Sequence, residues 1–253
     1  MRYPVDPTQV WMTSEAWLFL IFVCVLLPVA ALRQHRRMSG DAAGGGTPDV
    51  PRTRLYLSGL FTHAVFLVLV WSTARYFSTS LLASYRPRLP HVAVGLAALT
   101  LGLLPLLPRL QLDNPVGRAR TKLLAPQTTR EVLLFGVVCV SAGVAEELTY
   151  RGVLFTLLSV LIGGWWVPAI VSAAIFGVVH LFQGWKSAAI AGLLGLRDQI
   201  VVGFTGTLFV AIVVHILHDA VTGAVISLRV GAAEVGGLEP SAESRVPSPG
   251  ESS

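Results

Sequence analysis

Residues 16 to 32 read AWLFLIFVCVLLPVAAL, an apolar run without a single charge. Such a run is too long for a strand and too apolar to face water. A helix crossing the roughly 30 Å hydrocarbon core of a bilayer needs about 20 such residues. Similar runs recur at about 55 to 72 and 91 to 108, and the chain is almost continuously apolar from 131 to about 228. Inside lipid every backbone polar group must be satisfied internally, which leaves helices as the solution for runs of this kind. The expected fold is therefore all-α: a polytopic membrane bundle of about seven helices, within a range of six to eight.

Charge agrees with this. Only 13% of the 253 residues are charged, against about 25% in a soluble domain. The net charge of +5 does not indicate nucleic acid, because the arginines sit in short segments between apolar runs, where membrane proteins keep cytoplasmic anchors. Residues 33 to 54 carry five Arg against two Asp, and 109 to 130 carry Arg109, Arg118, Arg120, Lys122 and Arg130 against one Asp. These two segments belong on one side, taken as cytoplasmic, which puts the N-terminus outside. Arg75, Arg86 and Arg88 weigh against that assignment. The start of the chain lacks a basic region and cleavage pattern, so its first run reads as a retained anchor. Cys24 and Cys139 lie in apolar runs without metal-type spacing and read as small buried hydrophobes.

Three parts emerge: membrane helices with Arg-rich loops over 1–129, an apolar core over 130–228, and a tail over 229–253 rich in Gly, Glu, Ser and Pro, expected to be disordered. Gly163-Gly164, Gly184 and the RDQ at 197–199 are expected to divide the core into four or five helices. Arg197 and Asp198 read as a turn outside the membrane or a re-entrant segment. Trp165, Trp166 and Trp185 read as interface anchors.

The core carries charge where lipid should exclude it. AEELTYRG, residues 145 to 152, lies between VLLFGVVCVSAGV and VLFTLLSVLIGG. A mid-bilayer charge costs about 2.5 to 3.5 kcal/mol on insertion scales, so these side chains must face the protein interior and find partners. Glu147 and Arg151 are four apart and share a helical face. Glu146 is turned about 100° from Glu147. One carboxylate can then serve as an ion-pair member and its neighbour as a base. Taken alone, the group is equally a buried structural ion pair. FGVVH places Phe176 and His180 on one face, and HILHD places His215, His218 and Asp219 at i, i+3 and i+4. Each alone fits a core histidine or an interfacial cluster. Together, three apolar helices carry carboxylates and imidazoles, the groups that activate water and stabilise an oxyanion. Ionisable groups within a membrane point by default to function.

EELTYR, FGVVH and HILHD, in that order, resemble the EExxxR, FxxxH and Hxxx(N/D) motifs of the CAAX protease and bacteriocin-processing family of intramembrane endopeptidases. The resemblance covers about residues 130 to 228. It implies that Glu146 is the base activating the attacking water and that His180 helps hold that water. It implies that His215 and Asp219 polarise the scissile carbonyl, with Glu147, Arg151 and Phe176 in support. This chain has Asp219 where the family also uses Asn, and a carboxyl donates a hydrogen bond only when protonated. His218 lies outside the motif and reads as structural. A zinc on His180, His215 and Glu146 is chemically sensible, as is metal-free activation of water. The sequence leaves both open, with the metal-free route slightly preferred.

The leading reading is an integral-membrane endopeptidase whose partners are membrane lipid and a peptide or protein substrate, with no nucleic acid. By resemblance, prenylated C-termini, bacteriocin leader peptides and other membrane-associated peptides are the substrate candidates. Composition leans towards a bacterial plasma membrane, which would disfavour a prenylated substrate. A non-enzymatic scaffold or immunity factor and a proton-coupled carrier are the competing readings.

Overall fold

The computed structural model describes residues 12–43, 51–74, 88–104 and 125–236, and every regular element among them is helical. Helix α1 (Ser14–Ile21) runs through a π-helical stretch, Phe22–Leu26, into α2 (Leu27–Ala43). Helices α3 (Arg52–Ala74) and α4 (Leu89–Leu103) follow, and then α5 (Thr129–Glu146). A second π-helical stretch, Glu147–Leu154, joins α5 to α6 (Phe155–Ile162). Helix α7 (Trp166–Val179) ends in a 3₁₀ turn, His180–Gln183, before α8 (Trp185–Thr205) and α9 (Leu208–Gly236). Six helical stretches are long and apolar enough to span a bilayer, and Leu89–Leu103 is a shorter apolar helix. The molecule is a multi-pass helical membrane protein.

Contacts fix the direction of each helix. Arg52 lies 3.9 Å from Glu131, Tyr56 packs on Phe135 and Phe66 on Tyr150, so α3 and α5 run parallel. Helix α9 runs against α5, since Gly143 abuts Ile212 and Ile216 while Gly223 abuts Phe135. Helix α4 runs with α9, with Gly95 against Val210 and Gly102 against His218. The chain therefore alternates direction at each crossing. The starts of α3 and α5, which border the two Arg-rich segments, come to the same end of the bundle, as their composition led one to expect.

Large apolar side chains cover the surface, and a set of charged and polar groups is buried within an otherwise apolar interior. Phe61, Trp71, Leu133, Leu193, Phe204 and Leu228 are exposed, while Glu147, Arg151, Asp198, Gln199 and His215 are buried. Buried apolar side chains, among them Phe19, Val23, Leu154, Leu157, Val202 and Leu208, pack around these polar groups. Two glycines allow the closest helix crossing. A Cβ on Gly177 of α7 would stand 2.7 Å from the Ala188 carbonyl oxygen and 3.1 Å from the Gly192 Cα of α8. Small residues at such points let membrane helices approach closely.

The turns fall at Gly163-Gly164 and Gly184, as expected, and also at Gly206, all with positive φ. Arg197 and Asp198 correct the sequence reading. They form no turn, but lie buried inside α8. The segment from residue 33 is also helical as far as Ala43, the third expected span is the shorter helix Leu89–Leu103 and α9 extends to Gly236. Residues 75–87, 105–124 and 237–253, which hold Arg75, Arg86, much of the second basic segment and most of the expected tail, lie outside the described residues.

Candidate active site

A capping box sets the start of α5. The Thr128 hydroxyl accepts from the Glu131 amide at 3.2 Å, and the Glu131 carboxylate accepts from the Thr128 amide at 3.3 Å. The helix closes on Glu146, and the winding then widens into i→i+5 bonding over Glu147–Leu154. All eight residues of that stretch are buried. Wider turns of this kind recur at functional sites. From α7, the Ser172 hydroxyl donates to the Tyr150 carbonyl at 2.9 Å and anchors the widened stretch to its neighbour.

Glu147 is locked in place. Its Oε1 accepts from His215 Nδ1 at 2.8 Å and lies 3.2 Å from Arg151 Nη1, which bears out the expected i, i+4 pair. Arg151 Nη2 lies 3.8 Å from Asp198, and its guanidinium sits 4.3 Å over the Phe176 ring. Asp198 in turn accepts from Arg197 Nε at 2.8 Å and from Nη2 at 3.0 Å, and Arg197 Nη1 donates to the Ala98 carbonyl of α4 at 3.2 Å. Arg197, Asp198, Arg151 and Glu147 thus form a buried chain of alternating charge. Each charge has a partner, which is the condition for tolerating it in a medium of low dielectric.

Glu146 is placed differently. Among the described residues no guanidinium holds it, and its side chain is 14% exposed against 0% for Glu147. Oε2 faces His215 Nε2 at 3.7 Å and Oε1 faces His63 Nε2 at 3.5 Å. Both distances exceed a direct hydrogen bond of about 2.7–3.2 Å, so both oxygens keep acceptor capacity for a further donor. His63, His180 and His215 all lie within electrostatic reach of this carboxylate.

His180 stands where α7 gives way to the 3₁₀ turn. Its Nδ1–H donates to the Phe176 carbonyl at 2.7 Å, which leaves Nε2 as the nitrogen available to a further partner. From α2, His35 Nδ1 donates to the Leu181 carbonyl at 2.8 Å and braces that turn. The Phe176 ring packs against His180 at 4.6 Å, Tyr150 at 4.9 Å and His215 at 6.3 Å, and so spaces the two imidazoles. Asp219 Oδ2 lies 3.5 Å from His215 Nε2. Its Oδ1 lies 3.2 Å from His218 Nδ1, and His218 Nε2 donates to the Gly102 carbonyl of α4 at 3.2 Å. His218 thereby ties Asp219 to α4.

Sequence reasoning singled out Glu146, Glu147, Arg151, Phe176, His180, His215 and Asp219, and the described contacts link them in one cluster. It missed His63 and Ser141, and it misread Arg197 and Asp198. His63 carried a signal that went unused: an imidazole in the middle of an apolar span.

Among the described residues, the metal-type donors that come within 4.8 Å of one another are Glu147, Asp198 and His215. Glu146 and His180 are outside that set. The set does not suit a cation. The Arg151 guanidinium lies 3.2 Å from the Glu147 oxygen and 3.8 Å from the Asp198 oxygen, so positive charge already sits against both carboxylates. His215 Nδ1 is also committed to Glu147.

Residues 128–221, from the cap of α5 to the residues just past Asp219, match the family model described as type II CAAX prenyl endopeptidase Rce1-like. Over that segment the chain is similar to the Rce1-like family. No curated protein and no solved structure matches the chain. The Rce1-like segment contains every site residue anticipated from the sequence. His63, Ala98 and Gly102, which touch the site from α3 and α4, lie outside it.

Proposed function

We propose that this protein is an integral-membrane endopeptidase that hydrolyses peptide bonds of membrane-associated peptide or protein substrates with a water activated by Glu146. The contrast between the two adjacent glutamates carries this reading. Glu147 is spent on Arg151 and His215, while Glu146 faces imidazoles at distances longer than a direct hydrogen bond and keeps acceptor capacity on both oxygens.

In this mechanism Glu146 takes a proton from a water held also by His180 Nε2. The hydroxide adds to the scissile carbonyl carbon, and the resulting oxyanion is met by His215 Nε2. Asp219 orients His215, with its own carboxylate steadied by His218. This role does not require Asp219 to donate, and so removes the difficulty raised by Asp in place of Asn. Glu146 then passes its proton to the amide nitrogen as the C–N bond breaks, which returns the carboxylate to its starting state. No step passes through a metal.

The family description favours prenylated C-terminal peptides as substrates. The test is cleavage of prenylated and unprenylated peptides of one sequence by purified protein in liposomes, with and without a zinc chelator. The expected result is cleavage that favours the membrane-bound peptide and survives chelation. Cleavage abolished by the chelator and restored by zinc would refute the metal-free route.

A further inference from the structure

We propose that His63 of α3 is a positioning residue for Glu146, holding the carboxylate in the rotation that presents its second oxygen to His215 and the attacking water. The proposal rests on the reading of Glu146 as the base. It adds to the site a residue from outside the family-matched segment.

The geometry around His63 is specific. The imidazole is buried. Nδ1 lies 2.8 Å from Ser141 Oγ, and the Ser141 hydroxyl donates to the Val138 carbonyl at 3.0 Å. With that hydroxyl proton committed, Ser141 Oγ accepts, so Nδ1 carries a hydrogen. Nε2 is aimed at Glu146 Oε1, 3.5 Å away, and it holds that oxygen with the ring as imidazolium, donating from Nδ1 to the hydroxyl and from Nε2 to the carboxylate. Ser141 and Glu146 lie five residues apart on one helix, about 7.5 Å along its axis. The ring bridges them lengthwise and meets a partner at each nitrogen. One turn further along α3, Phe66 packs edge-on against Tyr150, four residues past Glu146. This second contact prevents α3 from sliding along α5, so the ring stays opposite the carboxylate.

The terminal torsion of a glutamate is broad and roughly two-fold. Left alone, the Glu146 carboxylate would sample rotations that turn both oxygens away from His215. The two imidazoles face different oxygens, Oε1 at 3.5 Å and Oε2 at 3.7 Å, and together select one rotation. His180 and His215 act electrostatically on the same Glu146 carboxylate that His63 faces.

The test compares His63→Leu, His63→Gln and Ser141→Ala in the purified full-length protein by steady-state cleavage, with a thermal-melting cycle of His63→Leu against Glu146→Gln. His63→Leu is expected to lower kcat about 10- to 100-fold with KM little changed, the scale of a misplaced catalytic group. His63→Gln, whose amide Nε2 can stand near the imidazole Nε2, is expected to recover much of the loss. Ser141→Ala is expected to cost less than His63→Leu. An unchanged kcat in folded His63→Leu overturns the proposal, as does a loss that His63→Gln fails to reduce. If wild-type protein cleaves nothing, the endopeptidase reading fails, and the melting cycle decides the contact separately. Non-additive shifts then support the hold of His63 on Glu146, and additive shifts overturn it.

Discussion

Glu146 and Glu147 carry the same side chain one residue apart, and the fold gives them opposite duties. Glu147 is the partner of a buried guanidinium, so Glu147→Gln leaves Arg151, among the described residues, with the more distant Asp198. Breaking one side of a buried pair costs about 3–5 kcal/mol, and a large fall in melting temperature is the expected result. Asp198→Leu should be at least as damaging, because it strands Arg197 together with Arg151; unfolding of each variant in detergent measures both. Glu146→Gln, with no guanidinium to strand, should melt close to wild type. At this scale the sequence was informative about which residues converge and silent about Asp198. Arg197 and Asp198 break an apolar run, and so read as a turn outside the membrane or a re-entrant segment. The long arginine side chain instead folds back, bonds both carboxylate oxygens and reaches the Ala98 carbonyl of α4.

The elements are placed by features of unequal legibility. Helix existence was plain from the apolar runs, and two of the turns, at Gly163-Gly164 and Gly184, from their glycines. The π-helical winding over Glu147–Leu154 was not legible, because hydrophobic period does not separate i→i+4 from i→i+5 bonding over a few residues. The crossing of α7 and α8 depends on Gly177. A methyl there meets backbone on the partner helix, which cannot yield as a side chain would. Gly177→Ala should cost about 1–3 kcal/mol of stability, the usual range for overpacking. Gly192→Ala, whose methyl would find its nearest atom at 3.4 Å, should cost less. Helix direction has its own test. In a background without Cys24 and Cys139, Arg54→Cys and Trp185→Cys should react with an impermeant maleimide from one side of the membrane and Trp166→Cys from the other. Labelling of all three from the same side would be inconsistent with the alternation of α3, α7 and α8.

At the scale of the whole molecule, the site is wider than the family segment. Residues 128–221 hold the motifs, but α3 supplies His63 and α4 supplies the carbonyls that seat Arg197 and His218. The first half of the sequence read only as generic membrane helices, since a single histidine in a span forms no motif and its partner lies 83 residues away. Residues 125–236 expressed alone should therefore be inactive and melt early, and co-expression with residues 1–124 should restore both properties. The most direct test of the account is cleavage of a membrane-bound peptide by wild type, Glu146→Gln and Glu147→Gln in liposomes, with melting curves alongside. General-base catalysis contributes about 10²- to 10⁴-fold. The account predicts a loss on that scale in Glu146→Gln with a near-wild-type melt, and a lowered melt in Glu147→Gln. Near-wild-type cleavage by Glu146→Gln would contradict it.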